Sequence, residues 1–200
     1  YVKTQAILLR DRTALILGYG EIGQALGNYC QGLGMHVVGI RNHPEKSNAD
    51  HNHKIFGIDK LKDLLPEADV LLIALPLTEN TKGLIGEREI NLMPQGSLLV
   101  NIGRGPVVNQ HALYNALKSG HLRAAGSDVW YNYPESVEAR ASTPPADVPF
   151  GELDNFVLSP HRGGMVEEVE EQRIQALAEL INAANRREPI PNKVNLEQGY

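Results

Sequence analysis

The sequence predicts an α/β fold built as a doubly wound parallel sheet with helices on both faces. Three observations carry this. A glycine-rich turn, Gly18-Tyr19-Gly20-Glu21-Ile22-Gly23, follows the apolar run Ala14-Leu15-Ile16-Leu17 and opens an amphipathic segment. Apolar runs such as Val70-Leu71-Leu72-Ile73-Ala74 recur along the chain, near-continuous as parallel strands covered on both faces require. Helical or loop segments separate them, and that alternation places ligands at the carboxyl ends of the strands.

Taken in order, strands are expected near 13–18, 35–40, 69–74, 97–101, 123–128 and 155–158, and helices near 21–33, 58–65, 87–92, 109–119 and 165–186. In the first helix, apolar residues at 22, 25, 26, 29, 30 and 33 follow the helical period, and Gly32 and Gly34 mark its stop. The run Val37-Val38-Gly39-Ile40 then completes a strand–helix–strand unit. The last helix carries Glu167, Glu168, Glu170 and Glu171 at its start and Arg186 and Arg187 at its end, as the macrodipole prefers. Val166, Val169, Ile174, Leu177, Leu180, Ile181 and Ala184 are expected as its buried stripe, and Pro189 and Pro191 forbid continuation. Residues 131–152, interrupted by Pro134, Pro144, Pro145 and Pro149, read either as a functional loop or as a solvated one.

The glycine turn has a chemical reading. Gly18 permits the tight turn, Gly20 lets the backbone approach phosphates, and Gly23 lets the helix pack closely on the strand. Amides of the first helical turn, and the helix dipole, favour negative charge there. The bland alternative is a structural turn with no ligand. The flanking strand and helix favour a dinucleotide pyrophosphate seat on a Rossmann-type domain, formed with Glu21 and Ile22.

Composition bounds the rest. At 200 residues the chain can bury a sizeable core, and 42% hydrophobic and 22% charged residues are globular values. A net charge of −5 and a pI near 5.8 advertise no nucleic-acid or anionic-membrane partner. No apolar run approaches the roughly 20 residues of a membrane span, and no signal-peptide pattern opens the chain. Cys30 is the single cysteine and falls on the apolar side of the first helix, where a buried, inert thiol is expected. A cytoplasmic location is expected. His51-Asn52-His53 invites a metal reading, but no matched ligand spacing accompanies it and no metal site is expected.

Four pieces follow the glycine turn in order, each where a strand ends. They are Ala74-Leu75-Pro76-Leu77-Thr78-Glu79-Asn80-Thr81, Val100-Asn101-Ile102-Gly103-Arg104-Gly105, Ser127-Asp128-Val129-Trp130, and Ser159-Pro160-His161-Arg162-Gly163-Gly164. On these motifs, over nearly the whole chain, the sequence resembles the D-2-hydroxyacid dehydrogenase family. The resemblance implies a cofactor domain for NAD or NADP and the interconversion of 2-keto and D-2-hydroxy acids. It implies Arg104 as the substrate arginine, His161 as the acid/base, and Asp128 as the residue holding the nicotinamide amide. It further implies Pro76 and Thr81 on the adenosine side, with Ile102 and Gly163 at the cofactor. The chemistry is consistent with these roles. An arginine fork grips a carboxylate and polarises a carbonyl, and an imidazole titrates near neutrality.

Cofactor choice has its own signal. NAD enzymes carry Asp or Glu about 20 residues past the glycine motif. Here β-run 37–40 ends in Arg41, which suits a 2′-phosphate, so NADP is favoured with NAD possible. Two departures stand out. The family places a glutamate five residues after the aspartate, and here that position is Tyr133, followed by Pro134. The family also has a substrate domain before the cofactor domain. Residues 1–10 are therefore expected as a linking helix, 1–200 as one cofactor domain, and 165–200 as a helix and tail returning to a substrate domain, with little turnover from this chain alone. A homodimer is implied by the resemblance. The rival reading is a non-catalytic dinucleotide-binding regulator or scaffold on the same fold, which Tyr133 favours.

Overall fold

The computed structural model describes residues 6–44, 53–190 and 193–194. The chain divides into two compact units, 1–160 and 161–200. Residues 1–5 of the expected linking helix lie outside the described residues. Residues 6–10 correct that expectation, because they form no helix. Asp11 adopts a left-handed φ of 64°, and Arg12 N–H donates to Leu9 O at 3.1 Å, so the segment turns straight into the first strand.

Among the described residues the first unit holds seven strands: β1 (Thr13–Leu17), β2 (His36–Ile40), β3 (Lys54–Phe56), β4 (Val70–Ile73), β5 (Ser97–Asn101), β6 (Leu122–Ser127) and β7 (Phe156–Leu158). They form one sheet in the order β3-β2-β1-β4-β5-β6-β7, and every pairing is parallel. The order reverses direction at β1, where β2 and β4 flank it, so the crevice between their carboxyl ends is the switch point at which such sheets bind ligands. Helices α1 (Glu21–Gly32), α2 (Leu61–Leu64), α3 (Glu87–Leu92) and α4 (Gln110–Ser119) connect the strands. The apolar runs predicted the other six strands to within two residues at each end; β3 was missed because Lys54-Ile55-Phe56 opens on a lysine and makes no continuous apolar run.

The core lies on both faces of the central strands. One cluster gathers Leu15, Leu17, Leu71, Ile73 and Leu99 with α3 and α4, and the other gathers Ala14, Ile16, Val70 and Leu72 with Tyr19 and Cys30. Alternate residues of β1 and β4 thus feed opposite layers, which is why these strands are apolar throughout. Burial pushes the Cys30 thiol up, so it stays the inert protonated group expected. The periodicity of α1 is real, but of its large apolar residues Leu26 packs against the core while Ile22 and Tyr29 face outward. Gly23, Gly27 and Cys30 are its buried positions, whereas Ile22, Tyr29 and Leu33 are exposed.

Residues 131–152 are an ordered loop. Tyr131 and Asn132 N–H groups both donate to Pro145 O, and Asp147 accepts from Asn132 Nδ2 at 3.0 Å and Gln110 Nε2 at 2.8 Å. Phe150 is buried and stacks with Tyr131.

In the second unit, α5 (Val169–Asn185) starts later than the 165 expected. The buried stripe read from the sequence is corrected: no α5 residue is buried, and Ile174, Leu177 and Ile181 are exposed. The reason is that α5 is the one helix among the described residues of this unit, so its own unit offers no surface to cover the stripe. Pro191 and most of the tail lie outside the described residues.

Candidate cofactor site

The carboxyl edge of the sheet is built by extending its hydrogen-bond ladders one residue past each strand. Gly18 N–H donates to Ile40 O, Ala74 N–H to Leu17 O, Ile102 N–H to Ile73 O, Asp128 N–H to Asn101 O and Ser159 N–H to Ser127 O, all at 2.9–3.1 Å. One residue from each of the four motifs, and Gly18 of the glycine turn, therefore stand in one row. Gly18, Ile102 and Asp128 are in it directly, and Gly20, Pro76, Thr81, Arg41 and Arg104 follow within a few residues.

The glycine turn sits at the centre of that row. Gly18 has φ 103°, and a Cβ there would lie 2.8 Å from the carbonyl of Ala74, so both the turn and the closeness of the β4 end demand glycine. A Cβ on Gly23 would overlap the Gly18 carbonyl and meet Ile16 at 3.3 Å. Gly20 is different. Its φ is −90°, and nothing lies within 4 Å of where a Cβ would stand. Its lack of a side chain serves no packing contact and leaves open space in front of α1. The first intrahelical bond runs from Gln24 N–H to Gly20 O at 2.8 Å, so the amides of Glu21, Ile22 and Gly23 precede the ladder and offer donors to an anion. This cradle fits a pyrophosphate.

Around it the structure brings several predicted residues into single turns. Arg41 follows β2 directly and is partly buried. Thr81 Oγ1 donates to Pro76 O at 2.7 Å and accepts from Thr78 N–H at 2.8 Å, so Pro76 and Thr81 close one loop. Asn101 is 2% exposed and staples the next loop. Its Oδ1 accepts from Gly103 N–H and its Nδ2 donates to Arg104 O, both at 3.0 Å. Arg104 is itself exposed, with Nη1 donating to Gly103 O at 2.7 Å. Ile102 is 37% exposed beside it.

Asp128 is held by a residue that sequence reasoning did not single out. Ser159 Oγ donates to Asp128 Oδ1 at 2.5 Å, and Trp130 Nε1 donates to Ser159 O at 2.9 Å. Trp130 is core, edge-on to Phe156. The Tyr133 hydroxyl accepts from Trp130 N–H at 3.0 Å and thereby shapes the segment after Asp128. Glu135 is exposed.

His161 and Gly163 belong to the second unit. His161 has a left-handed φ of 57°, a conformation that non-glycine residues hold at a cost of about 1 kcal/mol or more. An open groove of this unit is lined by His161, Met165, Val166, Glu167, Glu170 and Arg173. His51 and Asn52 lie outside the described residues, and His53 bonds Tyr19. Among the described residues no group of three metal-ligating side chains occurs, and no helix is long and apolar enough to cross a membrane.

Comparison with known proteins agrees with this geometry. A glyoxylate reductase of Korarchaeum cryptofilum is 36% identical over 188 residues, covering 93% of this chain and 53% of the relative. A D-3-phosphoglycerate dehydrogenase of Escherichia coli K12 is 39% identical over 164 residues, covering 81% of this chain and 37% of the relative. The chain thus spans about half the length of such relatives, or less. Among solved structures, a D-isomer specific 2-hydroxyacid dehydrogenase of Xanthobacter autotrophicus Py2 in complex with NADPH and MES superposes with a TM-score of 0.83 at 26% identity, covering all of this chain and 77% of that one. Residues 2–163 match the model of the D-isomer specific 2-hydroxyacid dehydrogenase NAD binding domain, and that match places the chain in this family as its cofactor-binding domain.

Proposed function

We propose that this chain binds NADPH in preference to NADH and, in the complete protein, serves a reductase of small 2-keto acids of the glyoxylate or hydroxypyruvate type. The observation that carries the reading is the open cradle at Gly20. It stands beside β2, whose next residue, Arg41, offers a cation to a 2′-phosphate and no carboxylate to repel it. The NADPH complex of the Xanthobacter relative supports the same choice.

The residues divide the work. First-turn amides of α1 neutralise the pyrophosphate and Arg41 pairs with the 2′-group. Pro76 and Thr81 line the adenosine side, and Ile102 packs at the nicotinamide. Asp128, oriented by Ser159, holds the carboxamide. When bound, the reduced nicotinamide supplies a hydride. Arg104 binds the keto-acid carboxylate with a bidentate fork and polarises the carbonyl. His161 delivers the proton to the alkoxide oxygen. The exposed α1 stripe of Ile22, Ala25, Tyr29 and Leu33 is offered as a homodimer surface.

Calorimetry decides the cofactor: tighter NADPH than NADH is expected, and equal or tighter NADH overturns the choice. Stopped-flow hydride transfer with glyoxylate in the full-length protein decides the activity, with His161→Ala expected to slow it at least 100-fold. A second reading, a dinucleotide-binding regulator, draws on Tyr133. It occupies the position of the family's histidine-pairing glutamate, and its hydroxyl is engaged by Trp130 N–H. An equally slow rate in wild type and His161→Ala supports that reading.

A further inference from the structure

Tyr19 stands between Gly18 and Gly20 of the glycine turn, and its side chain plays no part in the chemistry above. It is 1% exposed. A Cβ on Gly39 of β2 would come within 2.5 Å of its ring, and one on Gly27 of α1 would come within 2.7 Å of its hydroxyl. Two glycines on two different elements thus clear the path of one phenol. That path ends at His53, the residue before β3. The Tyr19 hydroxyl bonds His53 Nδ1, with the rings edge to face at 6.0 Å. Burial first, and the neighbouring Cys30 thiol second, push the Tyr19 phenol up. It therefore keeps its proton, and the hydroxyl and imidazole Nδ1 share a hydrogen bond whose donor is set by the imidazole tautomer.

The same residue is tied through its backbone to the other end of the site. Tyr19 N–H and Gly18 N–H both donate to Ile40 O, at 2.8 and 3.0 Å. Ile40 ends β2 and precedes Arg41, whose own N–H donates to Phe56 O at 3.0 Å, at the end of β3. The links close a circuit: glycine turn, end of β2, β3, His53, and back through the Tyr19 ring to the turn. One side of this circuit is the phosphate cradle and another is Arg41.

We propose that Tyr19 and His53 form a positioning pair that sets the spacing between the pyrophosphate cradle at α1 and the 2′-group site at Arg41. The pair rests on the NADP reading above and deepens it. A ligand that touches one seat tolerates a small displacement of the other. A ligand that spans both does not, because its length is set by covalent bonds.

The test uses calorimetry on the whole chain with three probes. NADPH spans both seats, ADP carries the pyrophosphate, and 2′-AMP carries the 2′-phosphate. Tyr19→Phe and His53→Leu are expected to weaken NADPH about fivefold, the effect of one net hydrogen bond, while ADP and 2′-AMP stay within about twofold. His53→Asn is expected to restore NADPH affinity, since the Asn side-chain amide presents a polar atom near the place of imidazole Nδ1. Equal weakening of all three probes overturns the proposal in favour of a packing role, and unchanged NADPH affinity in Tyr19→Phe overturns it outright. Should Tyr19→Phe fail to fold, His53→Leu and His53→Asn carry the same comparison. If wild-type protein binds NADH as tightly as NADPH, the NADP reading fails by itself, and the pair is judged with NADH as the spanning probe against ADP.

Discussion

Gly20→Ala isolates the phosphate seat from the stability of the fold. Nothing lies within 4 Å of the new methyl, and φ −90°, ψ −157° is extended backbone open to alanine. Loss of unfolded-chain entropy stabilises the variant by about 0.4–1 kcal/mol. Exchanging glycine for the poorer helix cap costs about the same. The two effects cancel to within about 0.5 kcal/mol, so the melting temperature moves by no more than about 2 °C for a chain of this size. The ligand meets the methyl instead. If it displaces a pyrophosphate from two amide donors worth about 1.5–3 kcal/mol each, NADPH affinity falls by roughly 100-fold or more. Differential scanning fluorimetry reads the first quantity and isothermal calorimetry the second. An unchanged NADPH dissociation constant with an intact fold would refute the assignment of the open space to phosphate, and a large melting-point loss would refute the steric reasoning.

The other expectations separate structure from recognition. Gly18→Ala forces a Cβ to 2.8 Å of the Ala74 carbonyl at φ 103°, so a loss of about 2–4 kcal/mol is expected in urea unfolding. Asn101→Ala orphans the Gly103 N–H and the Arg104 carbonyl. It is expected to cost about 2–4 kcal/mol in the same assay, with Arg104 more susceptible to proteolysis. Arg41→Asp is expected to turn NADPH preference toward NADH, measured as the ratio of the two dissociation constants. Asp147 is held below its ordinary carboxylate value by hydrogen bonds from Asn132 first and Gln110 second. Its depressed folded-state pKa contributes stability that is complete above the unfolded value of 3.8 and is lost as pH falls through the folded value. Asp147→Asn should therefore flatten the pH dependence of melting below about pH 4, and an identical profile in both proteins would count against the loop anchor.

Much of the site was readable because it is local. Gly18, Gly20 and Gly23 lie within one turn, and their spacing in the sequence displays that turn, although the Ala74 carbonyl that crowds Gly18 comes from the end of β4. Pro76 and Thr81, five residues apart, close their loop by a single hydroxyl bond. The motifs at Ile102, Asp128 and Ser159 sit at strand ends, and strand ends are visible as the ends of apolar runs. What escaped reading is pairwise and distant. Ser159 meets Asp128 across 31 residues and Tyr19 meets His53 across 34. The outward turn of Ile22, Tyr29 and Leu33 was hidden because periodicity reveals a stripe without saying which neighbour covers it. The exposed stripe of α5 misled in the same way.

The order of residues alone determined that this chain makes parallel strands, a glycine turn that opens a helix, and a row of chemical groups where strands end. Backbone sterics and hydrophobic period act over three to twenty residues, and a single sequence displays them. The tertiary structure alone decided which distant side chains meet: the phenol threaded between Gly27 and Gly39 to reach His53, and the serine on Asp128. Those meetings depend on how separate strands align when the ladder closes, and no local pattern in the chain encodes that alignment.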